Sequence, residues 1–350
     1  MVKPTIHICY DFADGPYGGG NQFLKSLRKY LKERGVYVAD AADADVVLFN
    51  SYPTDNEQLF SRLKALKQTG TLVIHRVDGP IQGLRGTPGF LDDAIYTANK
   101  YLADGTIYQS DWSRSAHRDL GMPESPFDRT ILNAPDPTLF HREGHNPLSE
   151  ERIRIIATSW SGNVRKGFPT YAYLDTHLDF SRYDMTFVGN SPIEFDNVTH
   201  RDPVPPKEVG NLLREHDVFI TASKKDTCSN SLIEALHCGL PAVVRDDGGH
   251  PEIVGDGGIT FEDKSQVPDA LNELVANYHD YRDRIDLPTI EEVGAAYYDL
   301  AADIYEAQKR GEYMPKPLSG LRGYRFHGII WGRILRWKVA RKVRTKLGNK

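Results

Sequence analysis

The stretch DVFITASKKDTCSNSLIEALHCGLPAVVRDDGGHPEIV, from Asp217 to Val254, contains in one piece the repeating unit of an α/β fold. The run DVFITAS is typical of a buried strand, SLIEALH of a short helix and PAVVRD of a second strand. Gly239 and Pro241 stand where this helix is expected to end. A strand, a crossover helix and a second strand predict two parallel strands of one sheet.

The same alternation runs through the rest of the chain in two series. The first contains the strand-like runs TIHICY, ADVVLFNS, TLVIHRV and GTIYQS, and the second contains RIRIIATS, YDMTFVGN, DVFITAS and PAVVRD. The polar, turn-rich HREGHNPLSE at 141–150 is predicted to be a linker. The sequence therefore predicts two Rossmann-like, doubly wound α/β domains, at 1–140 and 151–289, facing a cleft.

The end of the chain is predicted to be a crossing helix at 290–312 followed by a basic tail at 313–350. Residues 321–350 contain no acid, many lysines and arginines, and two tryptophans. This composition suits an anionic membrane surface. Alternatively, the tail packs on the first domain through two apolar stripes. One is Phe326, Ile330, Ile334 and Trp337, and the other is Leu335, Val339, Val343 and Leu347. No nucleic-acid partner is expected, because the tail contains no recognisable reader module.

Composition restricts the class of protein. The chain of 350 residues is 40% apolar and 26% charged, with a net charge of −5, which argues against a surface built for nucleic acid. Its three cysteines have no metal or disulfide spacing, which fits a reducing compartment. No signal region and no membrane-spanning run is visible. We expect a cytoplasmic protein, peripheral at the inner membrane face if the tail binds lipid.

Unusual residues follow the strand-like runs, where ligands of doubly wound sheets bind. Gly18, Gly19 and Gly20 precede a helix whose N-terminus would favour an anion, although they would equally suit a tight turn. Arg165 and Lys166 follow RIIATS, either as solvated charges or as a clamp on phosphate oxygens.

Two acids flank the start of the SLIEALH helix. The first N–H groups of that helix, near Asn230 and Ser231, predict a second anion site. Two basic residues and a helix N-terminus suit the diphosphate of a nucleotide-sugar. Glu234 would then accept hydrogen bonds from the ribose of that ligand, and Asp226 would reach the sugar beyond the diphosphate. The alternative for Glu234 is a capping box with Ser231, because the two residues have the required spacing.

Together these motifs resemble retaining glycosyltransferases of the GT-B fold, in the large family 4 group. Asp226 and Glu234 have that family's spacing of two acids, with seven residues between them. HCGLPAVV and DGGHPEIV match its following segments, Lys166-Gly167 its clamp lysine, and ILNAPDPTLF its turn before the linker. The resemblance covers Thr5 to about Gln308. Two departures are the aspartate at 226, where the family usually has glutamate, and Ser161, where it often has arginine.

The resemblance implies a hexosyltransferase that uses a nucleotide-diphosphate sugar, a UDP- or GDP-hexose, with retention of configuration. The acceptor would be an unidentified glycan or lipid-linked glycan, and neither metal nor cofactor is expected. The implied catalytic residues are His75 and Asp226, with Arg76 and Asp78 on the acceptor side. The implied donor-binding residues are Gly19, Gly20, Asn21, Arg165, Lys166, Asp226, Ser229, Asn230, Ser231, Leu232 and Glu234.

Other interpretations stay open at this level. The same architecture serves nucleotide-sugar epimerases, phosphorylases and non-catalytic sugar-binding proteins. Asp43 and Asp45 in ADADVV imitate a metal motif, but we interpret them as a turn before a buried strand. Trp160 is expected to be a packing residue, with stacking on a base or a sugar as the alternative, and His250 a loop residue near the donor.

Overall fold

The fold is described from a computed structural model of the chain. The structure describes residues 3–15, 18–50, 57–82, 89–145, 148, 151–318 and 320–348. The chain divides into two compact units. Unit 1 comprises Met1–Asp11, Arg28–Ile131 and Gly294–Lys350, and unit 2 comprises Phe12–Leu27 and Leu132–Val293. The glycine-rich segment therefore belongs to unit 2, and the chain enters the rest of unit 2 at Leu132, ahead of the predicted linker 141–150.

Parallel strands form one sheet in the described part of each unit. The strands of unit 1 pair in chain order: β1 (Ile6–Cys9), β2 (Val46–Asn50), β3 (Leu72–Arg76), β4 (Gly105–Tyr108) and β5 (Asp128–Thr130). Those of unit 2 are β6 (Ile153–Ser159), β7 (Tyr183–Gly189), β8 (Thr199–Arg201), β9 (Val218–Thr221), β10 (Ala242–Arg245) and β11 (Gly258–Phe261). Their order across the sheet is β11-β10-β9-β6-β7-β8.

Helices connect these strands. The first four are α1 (Gly19–Glu33), α2 (Glu57–Gln68), α3 (Phe90–Leu102) and α4 (Asp111–Asp119). Those that follow β6 are α5 (Phe168–His177), α6 (Pro206–Arg214), α7 (Asn230–His237), α8 (His250–Val254), α9 (Val267–Ala276) and α10 (Tyr278–Asp283). The chain ends with α11 (Ile290–Lys309) and α12 (Gly320–Gly348). The boundary between the units falls within the first turns of α11.

Both sheets are doubly wound, as predicted. In unit 2 the chain adds β7 and β8 on one side of β6, then returns to add β9, β10 and β11 on the other. In unit 1 the segment around Tyr37 forms a parallel bridge with Ile6, on the side of β1 opposite to β2. The chain therefore pairs with β1 first on one side and then, through β2, on the other. Such a reversal leaves a crevice at the carboxyl ends of the strands beside it, which in unit 2 are β6 and β9.

Alternate residues of the central strands of unit 2 enter different cores. Ile155 and Ile220 belong to one cluster with residues of α5 and α9, and Ile156 and Phe219 to another with residues of α6 and α7. The sheet is therefore covered by helices on both faces, which explains why its strands are nearly continuous apolar runs. Buried strands hold the loops at their carboxyl ends in place.

The C-terminal helix α12 packs on unit 1. Phe326, Ile330 and Ile334 are at most 2% exposed and share a core with residues of α2 and α3. Trp337 packs against a second cluster that contains Tyr96 and Tyr108. The packing alternative for this stripe is therefore confirmed. Within the described residues, every helix is too short or too polar to cross a membrane.

Candidate functional site

Helix α7 begins two residues earlier than a capping box of Ser231 and Glu234 requires. Its N-cap is Ser229, whose side chain makes no capping hydrogen bond, and its first helical residue is Asn230. Ser231 therefore lies inside the first turn, and Leu232, not an acid, stands three residues after the N-cap. The capping-box interpretation of Glu234 is wrong. The first N–H groups of α7, which have no acceptor within the helix, lie beside a pocket.

This pocket of about 280 Å³ lies in unit 2, at the carboxyl ends of its strands. That volume is close to the lower end of the roughly 300–1,000 Å³ found for small-molecule sites. One part of its wall is polar and formed by Lys166, Asp226, Ser229, Asn230, Ser231 and Glu234. Another is largely apolar and formed by Phe140, Val188, Pro203, Val204, Pro206 and Val209. Gly18, Gly19, Gln22, Thr158, Ser159, Trp160, Ser161, Gly189 and Cys228 complete the described lining.

Glu234 brings an unpaired carboxyl group to the pocket. Its side chain has no hydrogen-bond or ion-pair partner among the residues that the structure describes. Burial, with nothing to offset it, raises the pKa of Glu234 to about 8. A half-buried acid that packing desolvates and no protein group satisfies is a costly arrangement. It is the expected state of a group whose hydrogen-bond partner is a ligand.

Lys166 and Asp226 form an ion pair at the same pocket. The Nζ atom of Lys166 lies 2.8 Å from Oδ2 of Asp226, and both side chains retain some exposure. Burial alone would raise the pKa of Asp226, but the charges of Lys166 and His250 outweigh it and lower the pKa below its usual value. Asp226 is therefore ionised at neutral pH, and the ammonium of Lys166 remains beside the pocket for a second anionic partner.

The segment after β10 packs against the backbone of Asp226. Gly248 has a φ of +70°, and a Cβ atom there would lie 2.3 Å from the carbonyl oxygen of Asp226. The same carbonyl accepts a hydrogen bond of 2.8 Å from the N–H of Gly249. His250 begins α8 and is fully buried, so the expectation of a loop residue is wrong for it. The positive φ and the close approach to Asp226 explain why residue 248 is a glycine.

The glycine-rich segment and the ILNAPDPTLF segment both contact Asn230. A Cβ atom on Gly19 would lie 2.4 Å from that of Asn230, so only glycine allows this approach. Nδ2 of Asn133 donates a hydrogen bond of 3.0 Å to Oδ1 of Asn230. Both segments therefore fix the N-terminus of α7, and each also lines the pocket, the first with Gly18, Gly19 and Gln22 and the second with Phe140.

Several of the predicted donor-binding residues do not line the pocket. Asn21 is 2% exposed and exchanges two hydrogen bonds of 3.0 Å with the backbone of Ala13, so its side chain closes a turn. Gly20 and Arg165 are not among the described residues that line the pocket. The side chain of Leu232 lies in the core, which leaves only its backbone N–H for a ligand. None of these four residues is therefore among the described residues that line the pocket.

At the carboxyl edge of the unit 1 sheet, Arg76 is fully buried and its guanidinium donates four hydrogen bonds. The acceptors are Oδ1 of Asn50 at 2.7 Å, Oε1 of Gln109 at 2.6 Å, the hydroxyl of Tyr297 at 3.1 Å and Oδ1 of Asp78 at 3.3 Å. Asp78 also accepts from the amides of Gln109 and Asn50, at 2.7 and 3.0 Å. Of Arg76 and Asp78, only the side chain of Asp78 is exposed, by 47%.

His75 lies inside the core of unit 1. Its side chain is fully buried, its ring stacks on Phe49 at 4.2 Å, and its Nδ1 atom lies 3.2 Å from the amide nitrogen of Asn99. Burial lowers the pKa of His75 well below its usual value, so the ring is neutral. A side chain in this position does not touch a substrate, and the predicted catalytic role has no support from its geometry.

The pocket contains residues that the sequence interpretation missed. Trp160 is 46% exposed and lines the pocket, so the expectation of a packing residue is wrong. Val188 and Gly189 end β7, and Pro203, Val204 and Pro206 follow β8. All follow the rule that ligands bind at strand ends, but their ordinary composition gave no signal of it.

The Asp-x-Asp run before β2 is a turn, as interpreted. Asp43 ends a short 3₁₀ helix, and the carboxylate of Asp45 accepts hydrogen bonds from the N–H and the hydroxyl of Thr5. Among the described residues, no group of three or more His, Cys, Asp or Glu side chains is arranged to hold a metal ion.

Comparison with known proteins supports the class of fold. Residues 182–277 match the family described as Glycosyl transferases group 1. The chain is 25% identical over 143 residues to an uncharacterized 41.2 kDa protein in the cps region of Klebsiella pneumoniae. It is 34% identical over 96 residues to the D-inositol 3-phosphate glycosyltransferase of Paenarthrobacter aurescens. These matches cover 38% and 26% of the chain, and 40% and 23% of the two relatives' own lengths.

Solved structures extend the likeness to most of the chain. Sucrose-phosphate synthase from Thermosynechococcus elongatus has a TM-score of 0.67 at 15% identity, over 87% of this chain and all of that one. HepE from Anabaena, in complex with UDP-glucose, has a TM-score of 0.60 at 12% identity, over 87% of this chain and 99% of that one. The chain has the GT-B fold. Its similarity to the family described as Glycosyl transferases group 1 is confined to residues 182–277, and the family 4 assignment stays a prediction.

Proposed function

We propose that the protein is a glycosyltransferase that moves a hexosyl group from a nucleotide-diphosphate sugar to an acceptor hydroxyl. The observation that carries the proposal is the unpaired carboxyl group of Glu234 in the same pocket as the α7 N-terminus and Lys166. An anion site and a hydrogen-bonding acid, side by side, match a diphosphate joined to a ribose. The complex of HepE with UDP-glucose, on the same fold, supports this class of donor.

Each part of the donor has a complementary part of the pocket. The diphosphate would accept hydrogen bonds from the first N–H groups of α7 and from Lys166. The ribose hydroxyls would bond to Glu234, and the base would lie against the apolar wall near Val188 and Val204. The positive charge for the phosphates comes from protein groups, so the proposal uses no metal and no cofactor.

The proposed reaction is the one that the resemblance to retaining GT-B glycosyltransferases implies. The acceptor oxygen forms a bond to the anomeric carbon, on the face from which the diphosphate departs, while the bond from that carbon to the phosphate oxygen breaks. The acceptor proton passes to the leaving diphosphate, whose charge Lys166 and the α7 N-terminus stabilise. Configuration is thereby retained. Asp226, ionised and oriented by Lys166, would accept a hydrogen bond from a hydroxyl of the transferred hexose.

On the acceptor side we propose that the contact is Asp78 rather than Arg76. Asp78 is partly exposed, and Arg76, Gln109 and Asn50 all orient its carboxylate. A carboxylate held in this way suits a hydroxyl of a glycan or of a lipid-linked glycan. Arg76 would act only by positioning it.

The proposal is tested by incubating the full chain with UDP- and GDP-hexoses and measuring release of the nucleoside diphosphate. We expect thermal stabilisation by one class of nucleotide, and slow donor hydrolysis in excess EDTA. NMR of the glycoside formed from an α-linked donor on simple sugar acceptors should show an α-product. Binding without any turnover would favour a sugar-binding protein. Isomerisation of the donor hexose without hydrolysis would favour an epimerase, and a need for orthophosphate would favour a phosphorylase.

A further inference from the structure

Helix α12 has a second apolar stripe, in addition to the one packed on unit 1. Leu321, Tyr324, Leu335 and Val339, here called the outer stripe, are 86%, 78%, 62% and 54% exposed. Large apolar side chains scattered singly on a surface are normal, but four on one helix face form a patch.

The geometry of the helix places the outer stripe away from the core. At about 100° per residue, Leu335 lies on the side opposite Phe326, which is 1% exposed in the core of unit 1. Gly328 and Gly332 are exposed between the two halves of the outer stripe. One face of α12 therefore holds the helix on the protein, and the opposite face presents apolar side chains to solvent.

The charge around this face is positive. Ten of the 43 lysines and arginines of the chain lie in residues 321–350, and none of its 48 acids does. The rest of the chain then has 33 basic residues against 48 acidic ones, so the charge is strongly segregated. Arg325, Arg336 and Lys342 are exposed beside the outer stripe, and the ammonium of Lys64 lies 5.8 Å from the ring centre of Tyr324.

We propose that the outer stripe and its flanking cations bind an anionic lipid surface, with α12 lying in the plane of the interface. Apolar side chains would insert between lipids while lysines and arginines meet the headgroup phosphates. A nucleic acid would use the cations and leave the apolar side chains in water, so the two kinds of side chain together favour the membrane. The proposal does not depend on the transfer reaction, although it would place the protein near lipid-linked acceptors.

The test uses the full-length protein and extruded vesicles of phosphatidylcholine, alone or mixed with phosphatidylglycerol, in a flotation assay at low and high salt. One variant carries Leu335→Ser and Val339→Ser, and a second carries Arg325→Gln, Arg336→Gln and Lys342→Gln. A matched control carries Lys32→Gln, Lys207→Gln and Lys309→Gln, which removes three exposed cations from other helices. Circular dichroism and thermal melts verify that all variants fold, as expected for changes on an exposed face.

We expect the wild-type protein and the control to float with anionic vesicles at low salt only. The serine variant should partition about tenfold more weakly because it buries less apolar surface. The glutamine variant should partition about a hundredfold more weakly because three cations are lost. Binding of an oligonucleotide in place of vesicles, flotation that neither variant weakens, or no flotation of the wild-type protein would each overturn the proposal.

Discussion

At the carboxyl edge of the unit 2 sheet, Lys166 and Glu234 line an open pocket, whereas at the same edge of the unit 1 sheet Arg76 is enclosed by four acceptors. Both edges carry charged residues directly after buried strands. In unit 1 the surrounding protein satisfies the charge, and in unit 2 the acid Glu234 has no partner among the residues that the structure describes. The sequence therefore predicts that charged residues lie at these strand ends. Packing decides whether such a residue bonds to neighbouring protein groups or is left to bind a ligand.

The largest effect should come from breaking the enclosed network. Replacing Arg76 with Met removes a charged donor from the side-chain oxygens of Asn50, Gln109 and Asp78 inside the protein, and we expect a loss of about 3–5 kcal/mol in the stability of unit 1. Differential scanning calorimetry of the unfolding transition measures it. The control is Arg129→Met, which removes an exposed arginine paired with Asp303 and should cost less than about 1 kcal/mol. Equal losses in the two variants would mean that Arg76 is not structural.

At the pocket of unit 2 we expect a loss of ligand affinity with little loss of stability. Lys166→Met should weaken binding of a nucleoside diphosphate about tenfold to a hundredfold, since a hydrogen bond to a charged group contributes about 1.5–3 kcal/mol. The melting temperature should change little, because Lys166 is partly exposed. Isothermal titration calorimetry measures the affinity. Arg165→Met is the matched control, and an equal loss there would restore the clamp of two basic residues.

Glu234→Gln separates stability from binding. The folded-state pKa of about 8 lies above the unfolded value of 4.5, so the wild-type protein has no penalty below pH 4.5 and loses stability as pH rises to 8. The variant should therefore melt at the same temperature as the wild type near pH 4.5 and at a higher one above pH 8. Nucleoside diphosphate affinity should nevertheless fall up to about tenfold.

Thermal melts from pH 4.5 to 9, with and without nucleotide, test this prediction for Glu234. Glu208→Gln, on the exposed part of α6, should change neither quantity. A melting difference that does not vary with pH would show that the carboxyl group of Glu234 is solvated in the protein. Unchanged affinity would remove Glu234 from the proposed ribose contact.

The smallest effect on stability should come from Asp78→Asn. The carboxylate is half exposed, so its bonds to Arg76, Gln109 and Asn50 are partly replaced by water, and we expect a cost below about 1 kcal/mol. Donor hydrolysis should continue at the wild-type rate, while transfer to a sugar acceptor should fall. Parallel assays of nucleoside diphosphate release and of glycoside formation measure the two. A matching loss of both activities would contradict an acceptor-side role.

Several features were determined by sequence alone. The apolar runs and their spacing predicted β1 to β4, β6, β7, β9 and β10, both doubly wound sheets and the helix α7, because burial on both faces of a parallel sheet requires this pattern. Spacing also brought Lys166, Asp226 and the start of α7 to one region, because the carboxyl ends of neighbouring parallel strands share one edge.

Tertiary structure alone decided which side chains at those edges face solvent. His75 lies near the end of β3 and Trp160 directly after β6, but packing buries the first and exposes the second, which is the reverse of the roles predicted for them. Tertiary structure likewise decided which face of α12 is buried. Phe326 is buried and Leu335 is exposed, although both side chains are large and apolar. Exposure depends on neighbours that are distant along the chain, such as Phe49 beside His75, and local sequence does not contain that information.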